Sequence, residues 1–185
     1  MSDIVKRLFR TTLKFWLIYD SADVESAIHI ISSFPDIGLT LEEFTFERDR
    51  VQHAMWPTLQ LLPGVRKLVL HLKKHNIPMA VATSSRRKKM EMKTAHLQDV
   101  MSCFEGKIVC GDDDEYNMRG KPAPDIFLTA AAVLGRDVGK PLDTPTMKEI
   151  EERARGLVFE DAVAGVQAGK RAGMSGLPLV SYCAS

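Results

Sequence analysis

The amino-acid sequence predicts an α/β fold built on a parallel sheet, and two observations carry that expectation. From Pro63 onward, short apolar runs of strand length alternate with segments whose apolar residues recur at helical spacing. Each apolar run also stops at a polar cluster: Thr83-Ser84-Ser85, Gly111 with three aspartates behind it, and Glu160-Asp161.

The elements follow in order. Val24 to Phe34 and Leu41 to Met55 read as helices, the second opened by Thr40 with Glu43 three residues on, a capping-box pattern. Pro63-Gly64 opens a helix whose Val65, Leu68, Val69 and Leu72 form an apolar stripe, and Lys73, Lys74 and His75 suit the negative end of its dipole. Ile77 to Ala82 is a buried strand running into the Thr83-Ser84-Ser85 turn. A charged helix is expected over Arg86 to Met101, and a second strand over Lys107 to Cys110. Pro122 and Pro124 begin a helix with Ile126, Phe127, Ala130, Ala131 and Leu134 inward. Gly135 to Arg155 is a polar excursion with its own helix from Met147. The third strand is Gly156 to Phe159. The last helix, Val163 to Ala172, is rich in Ala and Gly, so its backbone lies close on the sheet.

Composition narrows the function classes. At 45% hydrophobic and 26% charged residues, the chain has enough apolar surface for a core, which excludes disorder as its main state. A net charge of +1 argues against nucleic acid or a membrane as the main partner. Phe15 to Tyr19, the longest apolar run near the N-terminus, is too short to span a bilayer. No small-residue cleavage site follows it. Cys103, Cys110 and Cys183 lack pairing or zinc-type spacing and read as reduced thiols, the expectation for a cytoplasmic protein.

The chemistry lies at the strand ends, where doubly wound sheets bind ligands. At Thr83-Ser84 a hydroxyl and backbone amides suit an anionic oxygen. Pro122 fixes the chain after Lys121, a lysine with no local partner. Glu160-Asp161 offers adjacent carboxylates to a hard cation such as Mg²⁺. Taken singly these are a helix cap, a surface lysine and another cap. Together they make a phosphate site. The run Asp112 to Asp114 reads as a solvated loop that approaches the site without entering it.

Ala80 to Ser85, Gly111-Asp112-Asp113 with Gly120-Lys121-Pro122-Ala123-Pro124-Asp125-Ile126-Phe127, and Val158-Phe159-Glu160-Asp161 with Gly165-Val166 and Ala172-Gly173-Met174 resemble three motifs of the haloacid dehalogenase (HAD) superfamily. The wording is nearest the branch of pseudouridine-5'-phosphatase and related sugar-phosphate phosphatases. The resemblance implies a Rossmann-like parallel sheet, with residues 1–60 as a partial helical cap and 61–185 as the α/β core. It also implies Mg²⁺-dependent hydrolysis of a small phosphorylated metabolite through an aspartyl-phosphate. By similarity, Thr83 binds the transferring phosphoryl oxygens with the Ser84 amide, and Lys121 neutralises charge on nucleophile and phosphate. Asp161 holds Mg²⁺, with Glu160 beside it.

Two departures stand against this. The family's D-x-D-G nucleophile motif is missing: Phe15 to Asp20 is the nearest run, but Ser21-Ala22-Asp23 follows. The expectation is therefore a truncated chain whose central first strand is absent or replaced by Phe15 to Tyr19, with a helix through Leu8, Leu13 and Leu17 as the rival reading. After Met174, Ser175-Gly176-Leu177-Pro178 interrupts the place of another apolar strand, a degraded C-terminal strand. The alternative function is a catalytically inactive relative that binds phosphate or a partner without turnover.

Overall fold

The computed structural model describes residues 24–34 and 38–178, and the chain divides into two compact units, 1–59 and 60–185. The first holds α1 (Val24–Ser33) and α2 (Leu41–Met55), which pack together, then a 3-10 turn at Trp56–Thr58. The capping box forms as the spacing predicts. The Glu43 amide donates to the Thr40 hydroxyl at 3.2 Å, and the Thr40 amide donates back to the Glu43 carboxylate at 2.9 Å. Among the described residues, Phe44 and Trp56 are its large buried apolar side chains.

The second unit runs α3 (Val65–Lys74), β1 (Val81–Thr83), α4 (Arg87–Thr94), α5 (Gln98–Met101), β2 (Ile108–Cys110), α6 (Asp125–Val133), α7 (Met147–Ala154), β3 (Leu157–Glu160), α8 (Val163–Arg171) and β4 (Ser175–Pro178). The expected α/β architecture with parallel pairing is present. β1 lies parallel to β2 with Val81 opposite Ile108 and Thr83 opposite Cys110. β3 lies parallel to β4 with Leu157 opposite Ser175.

Among the described residues the two ladders are separate, and α6 joins them. It packs on β1 and β2 and also meets α8, which covers β3 and β4. One core follows that path, from Val109 on β2 through Ile126, Phe127, Leu128 and Ala130 to Val158 on β3 and Ala168 on α8. The expectation of a close-lying last helix holds, since a methyl on Gly169 would sit 3.3 Å from the Val158 side chain. Phe15 to Tyr19, expected at a central strand position, lies outside the described residues.

Two readings need correction. The helix expected over Arg86 to Met101 breaks into α4 and α5, because Leu97 turns into the protein and bonds back to the Thr94 carbonyl at 2.8 Å. Ser175–Pro178 does not interrupt the strand pattern but is itself the strand β4. Pairing with β3 and the cover of α8 make this strand without an apolar run, a case of tertiary context overriding local preference.

If the core runs through α6, then Leu128→Ala, at a side chain 2% exposed, should lower the unfolding free energy by about 2–5 kcal/mol. Leu142→Ala, at a side chain 78% exposed, should stay within about 0.5 kcal/mol of the parent. Urea unfolding of both variants measures the contrast. Equal losses would relocate the core.

Candidate phosphate site at the strand ends

β1 delivers Thr83 to a tight turn. The Thr83 hydroxyl accepts from the Ser85 amide at 3.1 Å, a local bond that competes with helix and strand alike and so closes the turn. Ser84 stays exposed, while Ser85 is buried and accepts from the Lys93 ammonium at 3.3 Å. The neighbouring strand end braces this turn from the side. Gly111 donates to the Ser85 carbonyl at 3.1 Å and comes so close that a methyl group there would overlap the Ser84 carbonyl. Only glycine fits that approach.

Asp112 and Asp114 are exposed, as the solvated-loop reading expects, but Asp112 and Asp113 also take part in the same brace, and Asp113 departs from that reading. Asp112 accepts from the Arg87 amide at 2.7 Å, where α4 begins. Asp113 is nearly buried. It takes both ends of the Arg87 guanidinium and the Cys110 amide, the last at 2.8 Å. Burial pushes the Asp113 carboxyl up, but the Arg87 and Cys110 hydrogen bonds outweigh it and hold the group below its ordinary value. Burial also pushes the Cys110 thiol up, which removes it as a candidate nucleophile.

Lys121 comes from the loop before α6 and is not unpaired. Its side chain, 13% exposed, reaches the Ala82 carbonyl at 3.4 Å and forms an ion pair with Glu160, whose side chain is 10% exposed. It also lies 5.0 Å from the centre of the Phe127 ring. Ala82 is one residue out of phase with Val81, whose amide bonds to Lys107 across the β1–β2 ladder. The Ala82 carbonyl therefore faces the edge of β1 away from β2, and Lys121 caps it. Through one ammonium, the ends of β1 and β3 are tied together.

Glu160 and Asp161 have different surroundings. Glu160 is held by Lys121, accepts from the Ala162 amide at 3.5 Å and packs so tightly on Gly165 that a methyl group there would collide with its carboxylate. Asp161 is exposed, and its carboxylate makes no hydrogen bond or ion pair among the described residues. Thr83, Lys121, Glu160 and Asp161 thus belong to the ends of β1 and β3 or to the loop before α6 whose lysine bridges the two. Among the described residues, no three His, Cys, Asp or Glu side chains cluster as a ready-made metal cage.

Sequence reasoning missed two residues beside this site, Arg119 and Asp125. Asp125, 4% exposed at the start of α6, accepts from the Arg119 amide and from both ends of its guanidinium. Those guanidinium bonds hold the Asp125 carboxyl below its ordinary value against the opposing effect of burial. The signal available was an arginine and an aspartate bracketing a glycine- and proline-rich loop.

Comparison with known proteins identifies the family of the chain. A family model described as haloacid dehalogenase-like hydrolase matches residues 7–173. The chain is 35% identical over 167 residues to (DL)-glycerol-3-phosphatase 2 of Arabidopsis thaliana, covering 90% of this chain and 64% of that protein. It is 37% identical over 139 residues to a probable pseudouridine-5'-phosphatase of Drosophila melanogaster, covering 75% and 54%. The crystal structure of a HAD hydrolase of family IA, variant 3, from Entamoeba histolytica superposes with a TM-score of 0.56 at 26% identity, covering 77% of this chain and 57% of that one. The chain thus spans from a little over half to just under two thirds of these relatives' lengths. Among the described residues, no helix is long and apolar enough to cross a membrane.

Asp113 and Asp125 make stability depend on pH. Folding lowers both pKa values, so their contribution is present above the unfolded value of about 3.9 and is lost as the pH falls through the folded values. Asp113→Asn and Asp125→Asn should each flatten the acid limb of a plot of unfolding free energy against pH. An acid limb as steep as the parent's in both variants would mean that neither pair stabilises the fold.

Proposed function

Because the chain belongs to the haloacid dehalogenase-like hydrolase family, we propose that its strand ends form the phosphate- and metal-binding part of a phosphatase site. The substrate class is a small phosphomonoester, a sugar or nucleoside monophosphate, in keeping with the names of the relatives. The observation that carries the reading is the Lys121 ammonium at the junction of β1 and β3, where it meets Ala82, the residue before Thr83, and Glu160, the residue before the uncommitted Asp161.

The donor set fits Mg²⁺, which keeps several waters and takes only one or two protein carboxylates. Asp161 is the carboxylate free to hold it, while Glu160, occupied by Lys121, orients and neutralises the lysine instead. Charge counting supports a cation requirement. Lys121, Glu160 and Asp161 together carry one negative charge, which repels a phosphate dianion, and a divalent cation reverses that sign. When bound, the metal screens the phosphate charge and polarises its oxygens. The Thr83 hydroxyl and the exposed Ser84 turn offer hydrogen bonds to phosphoryl oxygens, and Lys121 supplies a fixed positive charge that need not reorganise.

Turnover by the covalent route also needs a nucleophilic aspartate, and the sequence shows no D-x-D-G. Asp20, the nearest candidate, lies outside the described residues. That absence favours a second reading, in which a chain of this sequence binds phosphate or a partner without turning substrate over. A cytoplasmic setting accords with three cysteines that show no pairing pattern.

Calorimetry with inorganic phosphate should show Mg²⁺-dependent binding. The double variant Lys121→Met, Glu160→Gln removes the charges while leaving no buried ion unpaired, and should weaken binding by about tenfold or more. Asp161→Asn should abolish the Mg²⁺ dependence. Parent protein that ignores phosphate with and without Mg²⁺ would refute the site. Assays with sugar and nucleoside monophosphates then separate the two readings. Turnover on the order of 1–10³ s⁻¹ marks an enzyme, and phosphate binding without turnover the inactive relative.

A further inference from the structure

Lys121 lies in no helix or strand, yet its ammonium must meet the Ala82 carbonyl and Glu160 at once. A flexible four-carbon side chain on a free loop would not hold that place. The loop from Arg119 to Pro124 is fastened at its two ends. The Arg119 amide donates to one Asp125 carboxylate oxygen at 3.0 Å. The guanidinium straddles the carboxylate, with Nε at 3.1 Å from one oxygen and Nη2 at 2.7 Å from the other. Asp125 is buried on the first turn of α6, whose next three residues, Ile126, Phe127 and Leu128, belong to the core. The fastening therefore refers the loop to the buried core of the second unit. Within it, Ala123 donates to the Gly120 carbonyl at 3.0 Å, and Arg171 on α8 donates to the Pro122 carbonyl at 3.0 Å.

We propose that Arg119 and Asp125 are positioning residues, a guanidinium–carboxylate clamp that sets Lys121 in its slot between β1 and β3. Neither side chain bonds to Ala82, Thr83, Glu160 or Asp161, so the pair acts through Lys121 and not on a ligand. The clamp needs the planar fork of arginine, which engages both carboxylate oxygens at fixed spacing, and a lysine ammonium cannot reproduce it. The functional half of this inference rests on the phosphate-site reading given above. The structural half does not.

The test uses the full chain and reads Lys121 directly. Brief acetylation with acetic anhydride, quantified by mass spectrometry, reports how free each lysine is. Lys148, whose side chain is 83% exposed, serves as the internal reference, and Lys93, tied to Ser85 on the neighbouring turn, as the control for loosening of the strand ends as a whole. In the parent, Lys121 should react slowly. In Arg119→Gln and Asp125→Asn its rate relative to Lys148 should rise on the order of tenfold, the scale expected when a charge-assisted hydrogen bond is lost. Lys93 should keep its parent rate. Arg119→Lys should leave Lys121 reactive, since it restores charge without the fork. Arg119→Lys keeps a positive charge opposite the buried Asp125 carboxylate and its side chain starts from a half-exposed position, so it carries the test even where Arg119→Gln or Asp125→Asn does not fold.

An unchanged Lys121 rate in the folded Arg119 variants overturns the proposal, and so does a rise shared equally by Lys93. Calorimetry with inorganic phosphate and Mg²⁺ separates the two layers. Raised Lys121 reactivity with phosphate binding weakened about tenfold supports clamp and site together. Raised reactivity in a protein whose parent form binds no phosphate sustains the clamp and refutes the phosphate reading.

Discussion

A lysine ammonium withdrawn from water must recover its lost hydration from the protein, or burial costs several kcal/mol. Lys121 meets that constraint with three partners from three elements: the Ala82 carbonyl at the edge of β1, the Glu160 carboxylate at the end of β3, and the Phe127 ring on α6. Much of the second unit follows from this one placement. β1 and β3 belong to different ladders, and the lysine joins their ends where no backbone pairing does among the described residues. Glu160 must then turn toward Lys121, which requires α8 to begin with residues small enough to let a carboxylate lie against its backbone. Gly165 supplies that room. A residue at the start of α8 is thus constrained by one in a loop more than forty positions earlier in the chain.

The same placement gives two adjacent carboxylates different roles. Glu160 is the last residue of β3 and lies against Lys121 and Gly165, whereas Asp161 follows in the bend beyond the strand. Glu160 faces the lysine and is neutralised, and Asp161 is left exposed with its oxygens uncommitted. A site for a charged ester and a divalent cation needs this asymmetry. Two free carboxylates would repel the phosphate more strongly, and two neutralised ones would offer the cation nothing.

What the sequence made legible, and what it hid, divides along the range of the interactions. The capping boxes of α2 and α7, Thr40 with Glu43 and Thr146 with Glu149, depend on residues three apart, and only the first was read beforehand. The strand-end clusters were readable because each is contiguous. The partners that give those clusters meaning were not. Lys121 finds Glu160 across 39 residues, and Arg87 finds Asp113 across 26. A run of three aspartates looks solvated, and only the folded backbone shows Arg87 arriving. Arg119 and Asp125 are six apart, close enough to notice, but in a loop that spacing has no regular geometry to make the pairing predictable. β4 escaped for a related reason: its strand character lies in its ladder with β3, not in its own residues.

The three candidate functional groups are therefore held by three different mechanisms. Thr83 is fixed by its own hydroxyl and by the close approach of Gly111, both contacts of the backbone. Asp161 is fixed by its place one residue beyond the Glu160 end of β3. Only Lys121 depends on a chain of side-chain ion pairs, with Arg119 and Asp125 behind it and Glu160 in front. Backbone contacts survive most substitutions, whereas a run of ion pairs has several places at which a single change leaves a buried charge without its partner. Drift in this sequence should accordingly reach the charge-neutralising lysine before it reaches the hydroxyl turn. A relative that had lost catalysis while keeping the fold could still retain a Thr83 turn shaped for an anionic oxygen. The presence of that turn is thus weaker support for a charge-neutralising site than the presence of the whole array from Arg119 through Lys121 to Glu160, and this chain holds the whole array.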